Sequence, residues 1–366
     1  MKTHLSSTAA YRSGFSIIEV LTSIVVAMIG VFGVMVLIPF AVKQAQTGLD
    51  SDAATIVARN AYAKFEISGY RNTRNWLTDI LTAADPTVPQ VFSIDPLGIM
   101  ENNQPPALPD FTLAKFPFNG EFRLGSGIYP DPYEIRAANL VTPAGVGMTK
   151  ADARRMFRAA DALVFGEAID SSVGAADASL NGPSQIYDAG GTMPILKRQS
   201  YGDISWSAIV VPVKDGLATA SAWKYRMYIL VYKDRITDVT DPKGRMRTAT
   251  LAPITGIASP VSNVYLADST VNLEDGTFHK DDWAMLINQD PNAQPGFDLQ
   301  LGFYRVVGYS NNAGPILPSI TLDGPDFDFD NVVSRRETHI VHLKDVVGVY
   351  ERTFTPEGAS NWNLSY

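Results

Sequence analysis

The chain has 366 residues, of which 46% are hydrophobic and 19% are charged, and its formal net charge at pH 7 is −8. An acidic chain without a block of Lys and Arg does not favour nucleic-acid binding, so we expect no nucleic-acid partner. The chain contains no cysteine, which excludes disulfides, thiolate metal sites and cysteine nucleophiles.

The first predicted element is a membrane-spanning helix. Twenty-two residues from Ile17 to Ile38 contain a single ionisable side chain, that of Glu19. A helix that crosses a bilayer core needs about 20 apolar residues, so this run is long enough. Lys2 and Arg12 precede the run, and no acidic residue does. The positive-inside rule therefore predicts a cytoplasmic N-terminus and an exported C-terminal part.

Two other kinds of segment could explain the apolar run. A cleaved secretory signal peptide needs an apolar stretch of about 7–15 residues followed by a small-residue cleavage site, whereas this run is longer and no Ala-x-Ala follows it before Lys43. A plain single-span anchor fits the length, and an anchored extracytoplasmic binding or enzymatic domain is the alternative interpretation. The anchor leaves Glu19 unexplained, because no Lys or Arg between Arg12 and Lys43 can pair with it.

The short run GFSIIEV, which begins at Gly14 and follows a basic leader, carries a resemblance to a known family. It is similar to the N-terminal signal of type IV prepilins and of the related type II secretion pseudopilins. The resemblance implies that a prepilin peptidase cleaves after Gly14 and that Phe15 becomes an N-methylated N-terminus. It also implies that Glu19, then the fifth residue, pairs with the Phe15 amine of a neighbouring subunit during assembly.

The resemblance also implies a domain organisation and a fold. Residues 1–14 are the leader peptide, 15–42 the transmembrane helix, 43–68 its periplasmic extension and 69–366 a globular head, with a possible internal boundary near residue 260. The implied fold class is α+β and pilin-like. In it, a long N-terminal transmembrane helix packs on a C-terminal antiparallel β-rich domain.

The function implied by the resemblance is that of a minor pilin or pseudopilin, a structural and non-enzymatic subunit. Its expected partners are the prepilin peptidase, other pilins or pseudopilins, an inner-membrane assembly platform with its ATPase, and membrane lipid. The protein would first cross the inner membrane once, with its head in the periplasm, and then enter a filament. A type IV pilus, a DNA-uptake machine and a type II secretion system all remain compatible with this interpretation.

Beyond the span, the sequence predicts three helical stretches and proline-rich loops. Pro39 predicts a bend or local melting of the first helix. A helix is predicted around Arg74 to Ala83, and a proline-rich passage with short extended pieces follows it. Apolar residues spaced four apart predict that the first helix continues beyond the span and carries one apolar stripe. The stripe consists of Leu49, Ala53, Val57, Ala61 and Phe65.

A third helix is predicted to start at a capping box formed by Thr149 and Asp152. Residues 171–194, which are rich in Gly, Ser and Ala, are predicted to form a surface loop. The apolar face of this third helix is predicted to contain Met156, Phe157, Ala160, Leu163 and Val164.

The C-terminal part of the chain is predicted to be antiparallel β-structure. Runs of β-branched and aromatic residues at strand length, separated by turn residues, predict a sheet and a small barrel-like part from about residue 260. These runs are ISWSAIVVPV, KYRMYILVYKD, SNVYLA, WAMLIN, LGFYRVVGYS, ILPSITL, THIVHL and VVGVYERTF.

The sequence predicts no catalytic residues. It contains no nucleophile elbow, phosphate-binding loop or zinc-protease motif. His339 and His342 lie three residues apart in a predicted strand, so they should point to opposite faces and not share a metal.

One acidic run, DFDFDNVVSRRE, has the spacing of a calcium loop. Asp326, Asp328, Asp330 and Glu337 occupy positions 1, 3, 5 and 12 of that pattern. The other interpretation is a solvated strand edge with Phe327 and Phe329 packed inward. The flanks resemble strands and two arginines bring positive charge into the run, so the residues favour the second interpretation, while calcium remains a candidate cofactor.

Overall fold

A computed structural model describes the following residues of the chain: 16–72, 75–77, 91–102, 115–116, 135–140, 147–159, 163–166, 197–200, 204–213, 224–236, 246–251, 257–258, 261–267, 273, 278–289, 299–311, 317–328 and 337–357. The chain divides into two compact units, one that ends at Asp52 and one that spans Ala53–Tyr366. The fold is therefore given below for each unit by itself.

Helices and strands follow one another along the chain, with the helices concentrated in its first half. The helices are α1 (Ile17–Ile67), α2 (Pro96–Asn102) and α3 (Lys150–Phe157). The strands are β1 (Trp76–Leu77), β2 (Phe92–Ile94), β3 (Lys115–Phe116), β4 (Ile135–Leu140), β5 (Leu163–Gly166), β6 (Lys197–Ser200), β7 (Ile204–Val213), β8 (Lys224–Lys233), β9 (Arg247–Thr250), β10 (Ile257–Ala258), β11 (Val261–Tyr265), β12 (Trp283–Gln289), β13 (Leu299–Ser310), β14 (Ser319–Asp323), β15 (Phe327–Asp328), β16 (Glu337–Leu343) and β17 (Val346–Phe354).

Helix α1 is continuous over 51 residues and contains Pro39. The local melting predicted at this proline is therefore wrong. Proline removes one backbone hydrogen-bond donor, but the backbone hydrogen bonds of the neighbouring turns keep the helix formed on both sides of it. In the described part of the chain, α1 is the one helix long and apolar enough, by length and composition, to cross a membrane.

The C-terminal end of α1 is fixed by a Schellman motif. The N–H of Tyr70 donates to the carbonyl of Phe65 over 3.1 Å, and the N–H of Gly69 donates to Glu66 over 3.0 Å. Gly69 has φ of 72°, a conformation that glycine adopts without a steric penalty. The rings of Phe65 and Tyr70 lie 6.1 Å apart and supply the apolar contact typical of this motif.

The first sheet has the strand order β1-β4-β2-β7-β8-β17, with β3 also paired to β4. All of its pairings are antiparallel except that of β2 with β4. The long strands β7 and β8 form its centre, and the alternation of side chains along β8 gives the sheet two apolar faces. Tyr225, Met227 and Ile229 lie in one hydrophobic cluster, whereas Tyr228 and Leu230 lie in the other.

The second sheet has the order β11-β14-β13-β12-β16-β9, and its pairings are antiparallel. An antiparallel bridge between Leu251 and Leu266 joins the chain just after β9 to the chain just after β11. The two outer strands thus meet, and the sheet closes into a barrel-like structure. Its interior is filled by buried side chains, among them Leu286, Tyr304 and Ile340.

Three hydrophobic clusters show how the layers of the second unit are stacked. The C-terminal part of α1 packs on one face of the first sheet through Ala54, Val57 and Phe65. The other face of the first sheet packs on the outside of the second sheet, where Met285 and Val341 meet it. The layers of the second unit are therefore, in order, the C-terminal part of α1, the first sheet, and the closed second sheet with its own core.

This architecture bears out the coarse fold prediction, a long apolar N-terminal helix followed by mostly antiparallel β-sheets. The eight predicted β-runs all contain strands. Strand β9 of the second sheet begins at Arg247, and β17, which follows β16 of that sheet, returns to the first sheet. The internal boundary near residue 260 stays a prediction.

Three predictions about helices need correction. Trp76 and Leu77 form a strand paired with β4 where a helix was expected. Helix α3 starts at the expected capping box but ends at Phe157, and Leu163 begins β5. Helix α2 lies in the passage expected to be loop. The segment 171–194 lies outside the described residues.

Candidate functional site

The residues implied for processing lie at the start of α1. Gly14 and Phe15 lie outside the described residues, and the description begins at Ser16. Glu19 occupies the first turn of α1, where a carboxylate interacts favourably with the N-terminal end of the helix dipole. Its backbone N–H donates to the carbonyl of Ser16 over 3.0 Å.

The first part of α1 is an apolar cylinder whose side chains are exposed on all sides. No residue from 17 to 53 is buried, and Ile17, Phe32 and Val36 are 80%, 64% and 73% exposed. At 1.5 Å per residue, the apolar run from Ile17 to Ile38 is about 33 Å long, close to the thickness of a bilayer core. A membrane anchor and a signal sequence both have this character.

The polar side chains within this run differ in how they are satisfied. The hydroxyl of Ser23 donates to the carbonyl of Glu19 over 2.7 Å, and that of Thr22 donates to the carbonyl of Ile18. Both hydroxyls therefore find acceptors inside their own helix. No hydrogen bond or ion pair to the Glu19 carboxylate comes from any residue in the described part of the chain. In a bilayer, an unpaired carboxylate of this kind would be costly.

The later part of α1 has a different surface, because one of its faces is buried. The predicted stripe is correct for Val57, Ala61 and Phe65, whereas Leu49 is 69% exposed. The small side chains of Ala54 and Ala61 let the helix approach the first sheet closely. The ring of Phe65 lies edge-on to that of Phe354 in β17, at a centroid distance of 5.5 Å.

A polar contact joins the same helix to the same strand. Thr55 Oγ1 lies 3.1 Å from the phenolic oxygen of Tyr350, at the margin of the buried face. The Tyr350 ring lies over Gly348, where a Cβ would be 2.7 Å from Tyr350 Cε2. Because glycine has no Cβ, it leaves room for the Tyr350 ring, and the ring in this position places its hydroxyl next to the helix.

A buried ion pair joins the end of β2 to the residues after β8. The Asp95 side chain is fully buried and that of Arg235 is 7% exposed, and Nη1 of Arg235 donates to Oδ1 of Asp95 over 3.1 Å. Asp95 also accepts from the backbone N–H of Gly98 at the start of α2, over 2.9 Å. The Arg235 guanidinium lies 4.3 Å from the centroid of the Tyr232 ring.

A second polar cluster lies at the start of β12. Asp282 Oδ2 is 2.9 Å from His342 Nε2, and it accepts from the backbone N–H of His279 over 2.7 Å. Burial by itself would raise the pKa of Asp282, but the hydrogen bonds from His342 and His279 outweigh it and hold the pKa below its ordinary value. The cluster ties the turn before β12 to strand β16.

The histidines of β16 lie on opposite faces, as the spacing predicts. The ring of His342 lies 5.0 Å from that of Phe278, in the interior of the second sheet. His339 is two residues from Val341, whose side chain belongs to the cluster between the sheets. Across the described ranges, no group of three or more His, Asp or Glu side chains could hold a metal ion.

The predicted calcium residues are only partly described. Asp326 is exposed, Asp328 ends β15 and Glu337 begins β16, whereas Asp330 lies outside the described residues. The flanks are strands, and Phe327 is buried in the core of the second sheet. These features agree with a strand edge, and calcium binding stays a prediction that a rise in melting temperature on adding calcium would support.

Two of these features have a local signal in the sequence. Asp95 before Pro96 is the N-cap and first-turn pattern of a helix, and Gly69 after the apolar stripe is the pattern of a helix end. Arg235 carried no such signal.

Comparison of the chain with protein-family models, with curated proteins and with solved structures finds no match.

Proposed function

We propose that this protein is a minor pilin or pseudopilin, a non-enzymatic subunit that is assembled into a filament through α1. In this proposal the chain is inserted in the inner membrane with its N-terminus in the cytoplasm. Prepilin peptidase then removes the leader after Gly14, and Phe15 becomes the methylated N-terminus. A membrane platform and its ATPase then move the subunit into a pilus or pseudopilus.

The observation that carries the proposal is the state of Glu19. It lies in the first turn of an apolar helix that is exposed on all sides, and its carboxylate has no partner among the described residues. An unpaired charge in an apolar medium is costly, and a paired charge is tolerated. Cleavage before Phe15 would create an α-amine four residues away, and the same amine on a neighbouring subunit could supply the missing charge.

The change in surface along α1 also supports the proposal. Apart from Glu19, residues 17–38 offer only apolar and small side chains, as suits contact with lipid or with other apolar helices. The later part of α1 is buried against the first sheet, and its Thr55 forms a hydrogen bond with Tyr350. One helix thus combines a segment suited to membrane and filament with a segment suited to carrying a head.

The cleavage step can be tested in cells with and without prepilin peptidase. We expect the intact mass to fall by the mass of residues 1–14 when the peptidase is present. Gly14→Leu should block this cleavage, because a bulky side chain prevents the peptidase from reaching the backbone. Gly33→Leu, a matched change within the span, should leave cleavage intact. A precursor of unchanged mass in every strain would support the plain anchor instead.

The assembly step can be tested separately on cleaved protein. Glu19→Ala should leave membrane insertion and cleavage unchanged and should reduce incorporation into filaments by at least tenfold, measured by quantitative blotting of sheared filaments. Ser23→Ala, one turn further along the same face, is the matched control and should be incorporated normally. Normal incorporation of Glu19→Ala would remove the proposed pairing role.

A further inference from the structure

We propose that the interior of the second sheet binds one neutral hydroxyl group between Tyr304 and Asn288, supplied by a water molecule or by a small alcohol. The hydroxyl accepts a hydrogen bond from the phenol of Tyr304 and donates one to the side-chain carbonyl of Asn288. The site lies within the second unit, so the proposal holds equally for a filament subunit and for an anchored domain and does not depend on the proposed function.

Two polar atoms inside the second sheet are buried without a partner. Tyr304 is 3% exposed and Asn288 is 1% exposed. Within the described ranges of the chain, no hydrogen bond reaches Tyr304 Oη or Asn288 Oδ1. Buried polar groups of native proteins nearly always have a partner, so these two atoms indicate a bound group.

The strand register brings the two atoms to the same part of the interior. Ala284 and Leu286 of β12 belong to the interior core, so Asn288, two residues further along the strand, faces the interior as well. Gly302 of β13 pairs with Leu286 and is therefore the diagonal neighbour of Asn288 on that face. Tyr304 Oη lies 2.8 Å from the position that a Cβ of Gly302 would take. The phenol therefore reaches back along β13 towards Asn288.

The gap between the two atoms is of the size that one oxygen bridges. The Cβ positions of diagonal neighbours lie about 7 Å apart or less. The carbonyl of Asn288 extends beyond its own Cβ, and two hydrogen bonds that share one oxygen reach about 5.5 Å. The ring of Phe327 closes this region from another side, since its Cδ2 lies 2.9 Å from the same Cβ position of Gly302. A small bound group therefore suits the site.

The chemistry of the two atoms selects a neutral hydroxyl. Burial, with a smaller contribution from the charge of Asp326, raises the pKa of Tyr304, so its phenol keeps its proton at neutral pH. The side-chain carbonyl of Asn288 only accepts hydrogen bonds. A cation would leave the phenol proton without an acceptor, and an anion would leave the carbonyl without a donor. A hydroxyl satisfies both through one oxygen.

Tyr225 shows that a single buried phenol does not make such a site. Tyr225 is fully buried, and its Oη also lacks a hydrogen-bond partner among the residues that the structure describes. Its ring packs against the rings of Trp76 and Phe354, at centroid distances of 6.0 and 5.8 Å. Its hydrophobic cluster, as described, contains no second unpartnered polar atom. A buried water needs two to four polar partners, so Tyr225 serves as a matched control.

The sign of a stability change tests the proposal. Tyr304→Phe in the full chain in detergent should lower the melting temperature by about 2–4 °C, because it takes a partner from the bound hydroxyl. Tyr225→Phe should leave the melting temperature unchanged or raise it, because it removes a phenol that has no partner. An unchanged or raised melting temperature in Tyr304→Phe, or an equal loss in both variants, would overturn the proposal.

A double variant tests whether Tyr304 and Asn288 share the hydroxyl. Asn288→Leu keeps the size of the side chain and removes the acceptor. Combined with Tyr304→Phe, it should lower the melting temperature by less than the sum of the two single changes, because the shared hydroxyl is lost only once. Combined with Tyr225→Phe, its effect should simply add. Additive effects in the pair of Tyr304 and Asn288 would overturn the proposal.

Native mass spectrometry of the full chain distinguishes the two sources of the hydroxyl. A small alcohol should add its mass to the purified protein, and the double variant Tyr304→Phe/Asn288→Leu should lack the added mass. If the source is water, no mass is added, and oxygen-17 relaxation dispersion should detect a long-lived internal water that the double variant lacks. Either result supports the site. The absence of both an added mass and a lost internal water would overturn the proposal.

Discussion

Thr55 Oγ1 and the phenolic oxygen of Tyr350 lie 3.1 Å apart, although 295 residues separate them in the chain. Thr55 belongs to α1 and Tyr350 to the last strand of the first sheet, so this contact and the ring pair of Phe65 and Phe354 join the same two elements. Residues near the start of the second unit therefore contact residues of β17 in the same unit.

Removal of the hydroxyl at this contact should weaken the docking of α1. Tyr350→Phe keeps the ring over Gly348 and removes the hydrogen bond, so we expect a loss of about 0.5–1.5 kcal/mol in the free energy of unfolding. Thr55→Val should cost a similar amount. The double variant should lose less than the sum of the two, measured by urea unfolding of the full chain in detergent. Strict additivity would mean that the two groups do not interact.

Gly324 should tolerate no side chain. A Cβ there would lie 2.5 Å from Tyr304 Cδ1 and 3.0 Å from the carbonyl oxygen of Phe303. Gly324→Ala should therefore displace the Tyr304 ring inside the second sheet and lower the free energy of unfolding by about 1–3 kcal/mol. Gly308→Ala is the control, because no atom lies within 4 Å of its Cβ position. Equal stability of the two variants would contradict the close packing of Tyr304.

Loss of Arg235 should be more costly than loss of an arginine at the surface. Arg235→Ala leaves the fully buried carboxylate of Asp95 without its ion pair, and we expect a loss of about 3–5 kcal/mol. Arg226→Ala breaks a 3.0 Å ion pair between the exposed side chains of Arg226 and Glu351. This change should lower the free energy of unfolding by about 0–1 kcal/mol. Thermal unfolding of both variants measures the difference, and similar losses would count against the buried pair.

Acid should weaken the cluster at Asp282. Its pKa in the folded protein lies below the ordinary value of 3.8, so folding favours the ionised carboxylate. The stabilisation is complete above the unfolded pKa and is lost as the pH falls through the folded value. Asp282→Asn should therefore lower the melting temperature at pH 7 and flatten its decline below pH about 4.

A matched carboxylate separates this effect from general acid unfolding. Asp52→Asn changes an exposed side chain of α1 and should leave the acid limb of the melting curve as steep as in the parent protein. A limb of equal steepness in Asp282→Asn would show that this carboxylate does not carry the proposed stabilisation.

The sequence predicted those parts of the fold that depend on local patterns. The capping box of Thr149 and Asp152 and the runs of β-branched residues are local, and both are found where expected. The failures occurred where tertiary pairing decided the outcome. Trp76 forms a strand because its backbone pairs with Leu140, which is 64 residues away and therefore outside any local window of sequence.

The candidate site shows the same division. Glu19 stood out from the sequence because one carboxylate interrupts an apolar run, and no distant residue is needed to notice it. The pairs of Asp95 with Arg235, and of Asp282 with His342, join residues 140 and 60 positions apart. Such pairs follow from the strand order of the sheets, which periodicity alone does not specify.

The return of β17 to the first sheet has a consequence for how the protein is made. The strand on which α1 packs contains Tyr350, which the ribosome adds 295 residues after Thr55 of α1, and Phe354, which packs on Phe65. The buried face of α1 is therefore made long before β17, and its site on the first sheet is complete only when β17 has been made. A product truncated before Val346 would present that apolar face to solvent, where proteases and chaperones can recognise it as unfinished.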